Sequence, residues 1–264
     1  MGAWIAAAPR WELALAILAF FTLQTALCCS LGFLLERLPI PRVWALPLDR
    51  GQLQHELLGN LVFIALTSVC FFAALSGARF AQPTAFANAL TFVSLLVGFQ
   101  IYYYFLHRLL HTRALIRFHR WHHVSRVTTP LAAQSMSWFE VLAWAFGYAA
   151  LPTLLSCCLP ISLEAWTAYM AFNMLGNIIG HANVELLPKL PAPEQFALAA
   201  NPSLFHALHH ARWTGHFGFQ SAALDRLFGT EWSDWPALHA RVGAGRALTD
   251  LRARADELRQ IVDK

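Results

Sequence analysis

Five apolar stretches divide this chain, at about Glu12 to Leu35, Leu57 to Phe80, Thr84 to Leu106, Trp138 to Leu159 and Leu163 to Gly180. Each is close to the roughly 20 residues that a helix needs to cross the hydrocarbon core of a bilayer. Composition agrees. With 57% hydrophobic and 13% charged residues and a mean hydropathy of +0.46, the chain is too greasy for an ordinary soluble protein. The sequence therefore predicts an all-α integral membrane fold. Pro39, Pro41 and Pro47 break the chain after the first stretch, Pro83 turns it between the second and third, and Pro160 separates the last two. Pro152 could kink the fourth stretch or end it early, so four to five transmembrane helices are expected. Trp11 to Leu35 is longer than the apolar core of a signal peptide and lacks a basic leader followed by a small-residue cleavage site, so it reads as a retained span.

The formal net charge is +4 and the basic residues form no single run, so no nucleic-acid partner is expected. Their value is topological. If the loop from Glu36 to Glu56 and the segment from His107 to Ser137 share one side, that side carries Arg37, Arg42, Arg50, Arg108, Arg113, Arg117, Arg120 and Arg126. The other side has Arg10 and Arg79 near its spans, and the positive-inside rule makes the Arg-rich side cytoplasmic. The cysteines, Cys28, Cys29, Cys70, Cys157 and Cys158, show no Cys-x-x-Cys spacing and are expected to be reduced and packed.

Nine of the twelve histidines are His107 and His111, then His119, His122 and His123, then His181, then His206, His209 and His210. Five spans return His181 to the cytoplasmic side, which already holds the other clusters. His107 and His111 lie one helical turn apart and can chelate one ion. The two His-x-x-His-His blocks put three imidazoles each within reach of one another. Protonated, such imidazoles would repel, so neutral rings bound to a cation are the less costly state. Imidazoles suit iron, zinc or copper, but nine exceed the four that close a structural zinc site and suffice for two ions with positions left open. Glu185 is a candidate ligand or a partner that orients His181, against a solvated surface charge. Asp225 is a candidate partner of a ligand histidine, against a helix cap or an ion pair near Arg226. His55 and His239 lack clustered partners and read as surface or interface histidines.

The ordered series from His107-Arg-Leu-Leu-His111 through His119-Arg-Trp-His122-His123 and Gly180-His-Ala-Asn-Val184 to His206-Ala-Leu-His209-His210, followed by Asp225-Arg-Leu-Phe-Gly-Thr230, resembles the fatty acid hydroxylase superfamily. Its members include sterol desaturases, sterol methyl oxidases and alkylglycerol monooxygenase. The resemblance runs from about Tyr102 to Thr230 and implies a membrane-embedded non-haem di-iron oxygenase that hydroxylates or desaturates an unactivated C–H bond of a lipid. It further implies O2 as co-substrate, the nine histidines as iron ligands, and electrons from a separate reductase with ferredoxin or cytochrome. No nucleotide fingerprint, haem attachment sequence or iron–sulfur cysteine set is present to supply them internally.

The chain departs from that pattern in two places. Where many relatives have His-Pro-x-Glu, Ser137-Trp-Phe-Glu140 keeps only the glutamate, and where they have Asn-Tyr-Gly, this chain has His216-Phe-Gly218. His216 adds a ligand or replaces a hydrogen-bonding asparagine. Phe99, Tyr102, Tyr103, Tyr104 and Phe105 could line a substrate channel or serve as packing and interface belt. The expected organisation is an N-terminal transmembrane region at 1–101, a catalytic region at 102–235 with a cytoplasmic helical cap, and an amphipathic cytoplasmic tail at 236–264. A bacterial inner membrane is the expected location. The competing class is a metal-binding membrane scaffold or a transition-metal transporter; transport would place ligands near mid-span.

Overall fold

The computed structural model describes residue 5 and residues 7–254, and among them it is helical, with two isolated bridges, Arg42 to Val184 and Trp44 to Leu248, in place of any strand. The helices α1 (Arg10–Leu35), α2 (Gln52–Gly77) and α3 (Ala85–Leu110) have 26 residues each and are about 39 Å long at 1.5 Å per residue. After a one-turn helix α4 (Ile116–His119), the fourth apolar helix, Trp138–Leu155, is assembled from α5 (Trp138–Ala145), a π-helical turn (Phe146–Ala150) and α6 (Leu151–Leu155). The wide turn sits just before Pro152, whose ring and missing N–H disturb the regular ladder, so the proline is absorbed and does not end the span.

These four are the helices, among the described residues, that are long and apolar enough to cross a membrane. Between 28% and 39% of each apolar window is buried inside the protein, which leaves most of each surface, including Leu23, Leu27, Leu61 and Val97, for lipid. The chain is an integral membrane protein. A fifth helix, α7 (Leu163–His181), carries Asn173 and Asn177 in its apolar run, packs against α1 and α3, and ends at His181. Side-chain caps start three helices where backbone N–H groups would lack partners: the Thr84 oxygen accepts from Ala87 N, Ser137 from Glu140 N and Ser162 from Ala165 N.

The membrane core joins Phe21 of α1, Phe63 and Phe71 of α2, Phe99 and Tyr103 of α3, Trp144 of α5 and Trp166 of α7. Of the aromatic residues before the first histidine pair, Phe99 and Tyr103 belong to this packing, Tyr104 is buried, and Phe105 is exposed. A separate core forms the cap. It closes Val43 and Trp44 of the first loop onto α9 (Ser203–Arg212) and α11 (Trp235–Gly243) through Leu204, Phe205, Leu208, Trp235 and Leu238. The short helices α8 (Pro193–Phe196) and α10 (Ala223–Leu227) complete it.

Three expectations change. Cys157 and Cys158 are exposed, because the fourth span ends at Leu155 and the pair falls in the turn beyond it. His239 is buried in the cap, with Nε2 3.9 Å from Glu185 Oε1, because α11 turns that face toward α9. The segment 125–135 runs as a strap alongside α2, buried apart from Arg126 and in part Leu131. In the tail, α11 ends at Gly243, residues 244–254 are irregular apart from the Leu248 bridge to Trp44, and 255–264 lie outside the described residues.

Candidate metal centre

Each histidine of the series is delivered by an element end. α3 runs beyond the apolar stretch to Leu110 and brings His107 and, at its cap, His111; α4 and the 3-10 turn His122–Val124 bring the first triple; α7 ends in His181; α9 brings the last triple. All nine converge, in two groups. His107, His111, His119, His123 and His209 form one, and His122, His181, His206 and His210 the other, with one ligand atom per residue and all atoms of a group within 4.8 Å of one another. Each His-x-x-His-His block is thus divided. Along α9, at 100° per residue, His209 lies about 60° to one side of His206 and His210 about 40° to the other, so the adjacent pair diverges and serves different groups.

The inward atoms are Nε2. In the larger group His107 to His119, His119 to His123 and His123 to His209 are each 3.1 Å apart and His123 to His111 is 3.2 Å. In the smaller, His181 lies 3.0 Å from His206 and 3.2 Å from His210. The outward Nδ1 atoms explain why. Nδ1 of His107 meets Phe217 O at 2.8 Å, His122 meets Ser135 O at 3.2 Å, His181 meets Asn177 O at 2.7 Å, His209 meets Gly215 O at 2.7 Å, and His210 meets Ser125 O at 2.9 Å. A carbonyl oxygen only accepts, so in these five rings Nδ1 carries the proton and Nε2 presents a bare lone pair. In His119 the acceptor is the buried carboxylate of Glu140, at 2.8 Å. Lone pairs facing one another at such distances repel unless a cation lies among them, so the donor set fits metal ions.

Electrostatics agree. Burial, reinforced by the neighbouring imidazoles, pushes His111, His123, His206 and His210 well below the usual histidine value. Burial takes His119 and His209 to about 3 and His122 to about 4. The rings stay neutral near pH 7 and are ready to bind a cation without first losing protons.

The remaining candidates take supporting positions. Asp225 accepts from Phe217 N at 2.7 Å, Gly218 N at 2.6 Å and Thr230 Oγ1 at 2.7 Å. It therefore fixes the peptide whose carbonyl holds His107, acting one peptide removed from the ring. Burial raises its carboxyl, and these three donors oppose the rise. Glu185 is neither ligand nor solvated: it is buried and accepts from Leu204 N at 3.0 Å at the start of α9 and from Leu187 N. His216 stands outside both groups. It lies face to face with Phe205 at 3.5 Å, donates from Nδ1 to Phe205 O, accepts from Trp232 N, and holds a left-handed backbone at φ 56°.

Beside the smaller group, between α3, α7 and the loops at 199–203 and 219–220, is a cavity of about 420 Å³. Leu96, Phe172, Ile179 and Phe219 give it apolar walls, and Gln220 and His206 are among its polar lining. Sequence reading missed Glu140 as the partner of His119, although the acid at the third position of a Ser-capped helix was visible. It also missed the carbonyl partners, for which every residue is equally qualified.

A model of the fatty acid hydroxylase family matches residues 92–230. Protein CER1-like 1 of Arabidopsis thaliana is 32% identical over 162 residues, 59% of this chain and 26% of that protein. Very-long-chain aldehyde decarbonylase GL1-6 of Oryza sativa subsp. indica is 32% identical over 149 residues, 54% and 23% respectively. Very-long-chain aldehyde decarbonylase CER1 of Arabidopsis thaliana is 33% identical over 135 residues, 48% and 21%. The chain therefore spans about a quarter of the length of these relatives. No solved structure matches it significantly.

Proposed function

The chain belongs to the fatty acid hydroxylase family, and from that premise we propose that it is a membrane-bound non-haem di-iron oxygenase acting on a lipid. The observation that carries the reading is the division of nine neutral imidazoles into two adjacent groups with inward Nε2 lone pairs. His107, His111, His119, His123 and His209 would hold one iron, and His122, His181, His206 and His210 the other. When bound, the irons supply reductive activation of O2 and removal of a hydrogen atom from an unactivated C–H bond, giving an alcohol or, with loss of a second hydrogen, an alkene.

The protein's own part is to bind, orient and exclude water. Phe217 O, Glu140, Ser135 O, Asn177 O, Gly215 O and Ser125 O fix six imidazoles before any ion arrives. The apolar walls of Leu96, Phe172, Ile179 and Phe219 suit an alkyl chain, and the cavity brings it to His206. Electrons come from a separate donor, a reductase with ferredoxin or cytochrome. The arginines support a cytoplasmic face for the histidines. A bacterial inner membrane completes the reading, and this is the part against which the plant relatives weigh. The names of those relatives favour a second reaction at the same centre, removal of the carbonyl carbon of a long-chain aldehyde. The ligands sit at the ends of α3 and α7, away from mid-span, which argues against a transporter.

Elemental analysis of detergent-purified protein tests the centre: about two irons per chain are expected, with loss in a His122→Ala, His209→Ala double variant. No bound transition metal after anaerobic iron loading would overturn the proposal in favour of a scaffold. Turnover of supplied lipids then separates the reactions, since an alkane one carbon shorter than the substrate marks aldehyde cleavage and an alcohol or alkene of equal length marks C–H oxidation.

A further inference from the structure

Away from the histidines, α2 carries a row of buried polar side chains. Gln52, Glu56 and Asn60 follow one another at intervals of four, hence on one helical face, with exposures of 2%, 0% and 2%. An ionisable side chain so placed is costly unless it is fully satisfied. Glu56 is satisfied without any Lys or Arg among its hydrogen-bond partners. Oε1 accepts from Gln52 Nε2 and Ser125 Oγ, both at 2.7 Å, and Oε2 accepts from Thr129 Oγ1 at 2.6 Å. The flanking amides extend the pattern: Gln52 Nε2 also donates to Val127 O at 2.8 Å, and Asn60 Nδ2 donates to Leu131 O at 2.7 Å.

The stripe thus grips residues 125, 127, 129 and 131 of the strap. Gly59, beside the stripe, lets the backbones close, since a Cβ there would come within 2.6 Å of Ser135 Cα.

The strap holds one histidine group and not the other. Ser125 O, at its start, accepts from His210 Nδ1, and Ser135 O, at its end, accepts from His122 Nδ1. Ala133 O accepts from Asn177 Nδ2, and Asn177 O in turn accepts from His181 Nδ1. Two of the four rings of the smaller group are therefore oriented by carbonyls of the strap, and a third, His181, by a carbonyl of α7, which the Asn177 side chain ties to the strap. In the larger group the Nδ1 partners are Phe217 O, Glu140 and Gly215 O, none of them on the strap.

We propose that Glu56 is a positioning residue for the four-histidine site alone. By holding Ser125 and Thr129 it fixes the carbonyls that set His210 and His122 with Nε2 inward, and the five-histidine site does not depend on it. The inference rests on the reading that each group holds one ion.

The test is anaerobic iron(II) loading of the detergent-purified full chain, read as iron per chain and as the Mössbauer spectrum of protein loaded with ⁵⁷Fe. Parent protein is expected to hold two irons. Glu56→Ala should hold close to one and show one iron environment in place of two, and Ser125→Ala should lose iron in the same direction. Adding Glu56→Ala to His122→Ala should cost no further iron, whereas adding it to His119→Ala should leave almost none. Two irons and an unchanged spectrum in Glu56→Ala, or equal loss from both sites, would overturn the proposal. A parent that binds fewer than two irons would instead overturn the di-iron reading. If Glu56→Ala does not fold, Glu56→Gln, which keeps one carbonyl acceptor, and Ser125→Ala carry the same comparison.

Discussion

Removing the Glu140 carboxylate should weaken one iron site while leaving the fold in place. Glu140 Oε1 accepts from His119 Nδ1 at 2.8 Å and, at a longer 3.3 Å, from Trp144 Nε1. In Glu140→Ala both donors are stranded where water does not reach, at about 1–3 kcal/mol for a well-made bond. Relief from burying a carboxylate offsets part of this, so a net loss of about 1–2 kcal/mol in stability is expected. The larger effect is on affinity. His119 would be free to rotate or to move its proton to Nε2, and losing such a partner typically costs 10–100-fold, or about 1.4–2.7 kcal/mol. Glu140→Gln keeps a carbonyl that can accept from Nδ1 and should stay within about tenfold of the parent. Competition for iron(II) against a chromophoric chelator under anaerobic conditions measures both variants. If Glu140→Ala binds two irons within twofold of the parent, orientation of His119 by the carboxylate is not what sets affinity and the reasoning fails.

Other parts of the centre give further expectations. Asp225→Ala removes three hydrogen bonds to the 217–230 loop, so it should lower thermal stability by about 2–4 kcal/mol and loosen iron at His107; an unchanged melting temperature would refute this. Metal-free protein should be destabilised by acid. His119 and His209 are held at about 3 and His122 at about 4, against the usual 6.5, so below about pH 6.5 the unfolded chain takes up protons that the folded core excludes. The stability present above that value is then lost progressively toward pH 3, by up to about 1.4 kcal/mol per pH unit per excluded proton. Melts that are flat between pH 7 and pH 4.5 would count against burial as the cause. Leu96→Trp, which narrows the cavity beside His206, should reduce lipid turnover by at least about tenfold with iron content unchanged; full turnover would move the substrate elsewhere.

The histidine series was legible because imidazoles at offsets of three and four have few other uses in a greasy chain, and the helical class followed from the length of the apolar runs. The partition of the blocks is harder to see, although the 100° between His209 and His210 on one helix contains it, because nearness along the chain suggests nearness to one ion. Glu56 stands just ahead of the apolar run that starts at Leu57, so hydropathy leaves it outside a helix that begins at Gln52. Residues 125–135 carry neither helical nor alternating periodicity, so nothing local announced that they are buried. Their position depends on Gln52, Glu56 and Asn60, some 70 residues earlier, and is written in the partner and not in the segment.

That buried strap also constrains the order in which the chain can be built into a bilayer. Its polar groups find partners on α1, α2 and α7: Thr25 reaches Gln134, Glu56 reaches Ser125, and Asn177 reaches Ala133. Since α7 is made last of the three, a nascent chain that has reached only α6 holds an irregular segment with carbonyls that lipid cannot satisfy. Seating of the strap is therefore expected to be completed only when α7 supplies Asn177, with closure of the four-histidine site following when α9 brings His206 and His210. Limited proteolysis should cut within 125–135 in a chain ending at Leu159 and spare it in the full chain; equal protection in both would show that the strap seats itself earlier.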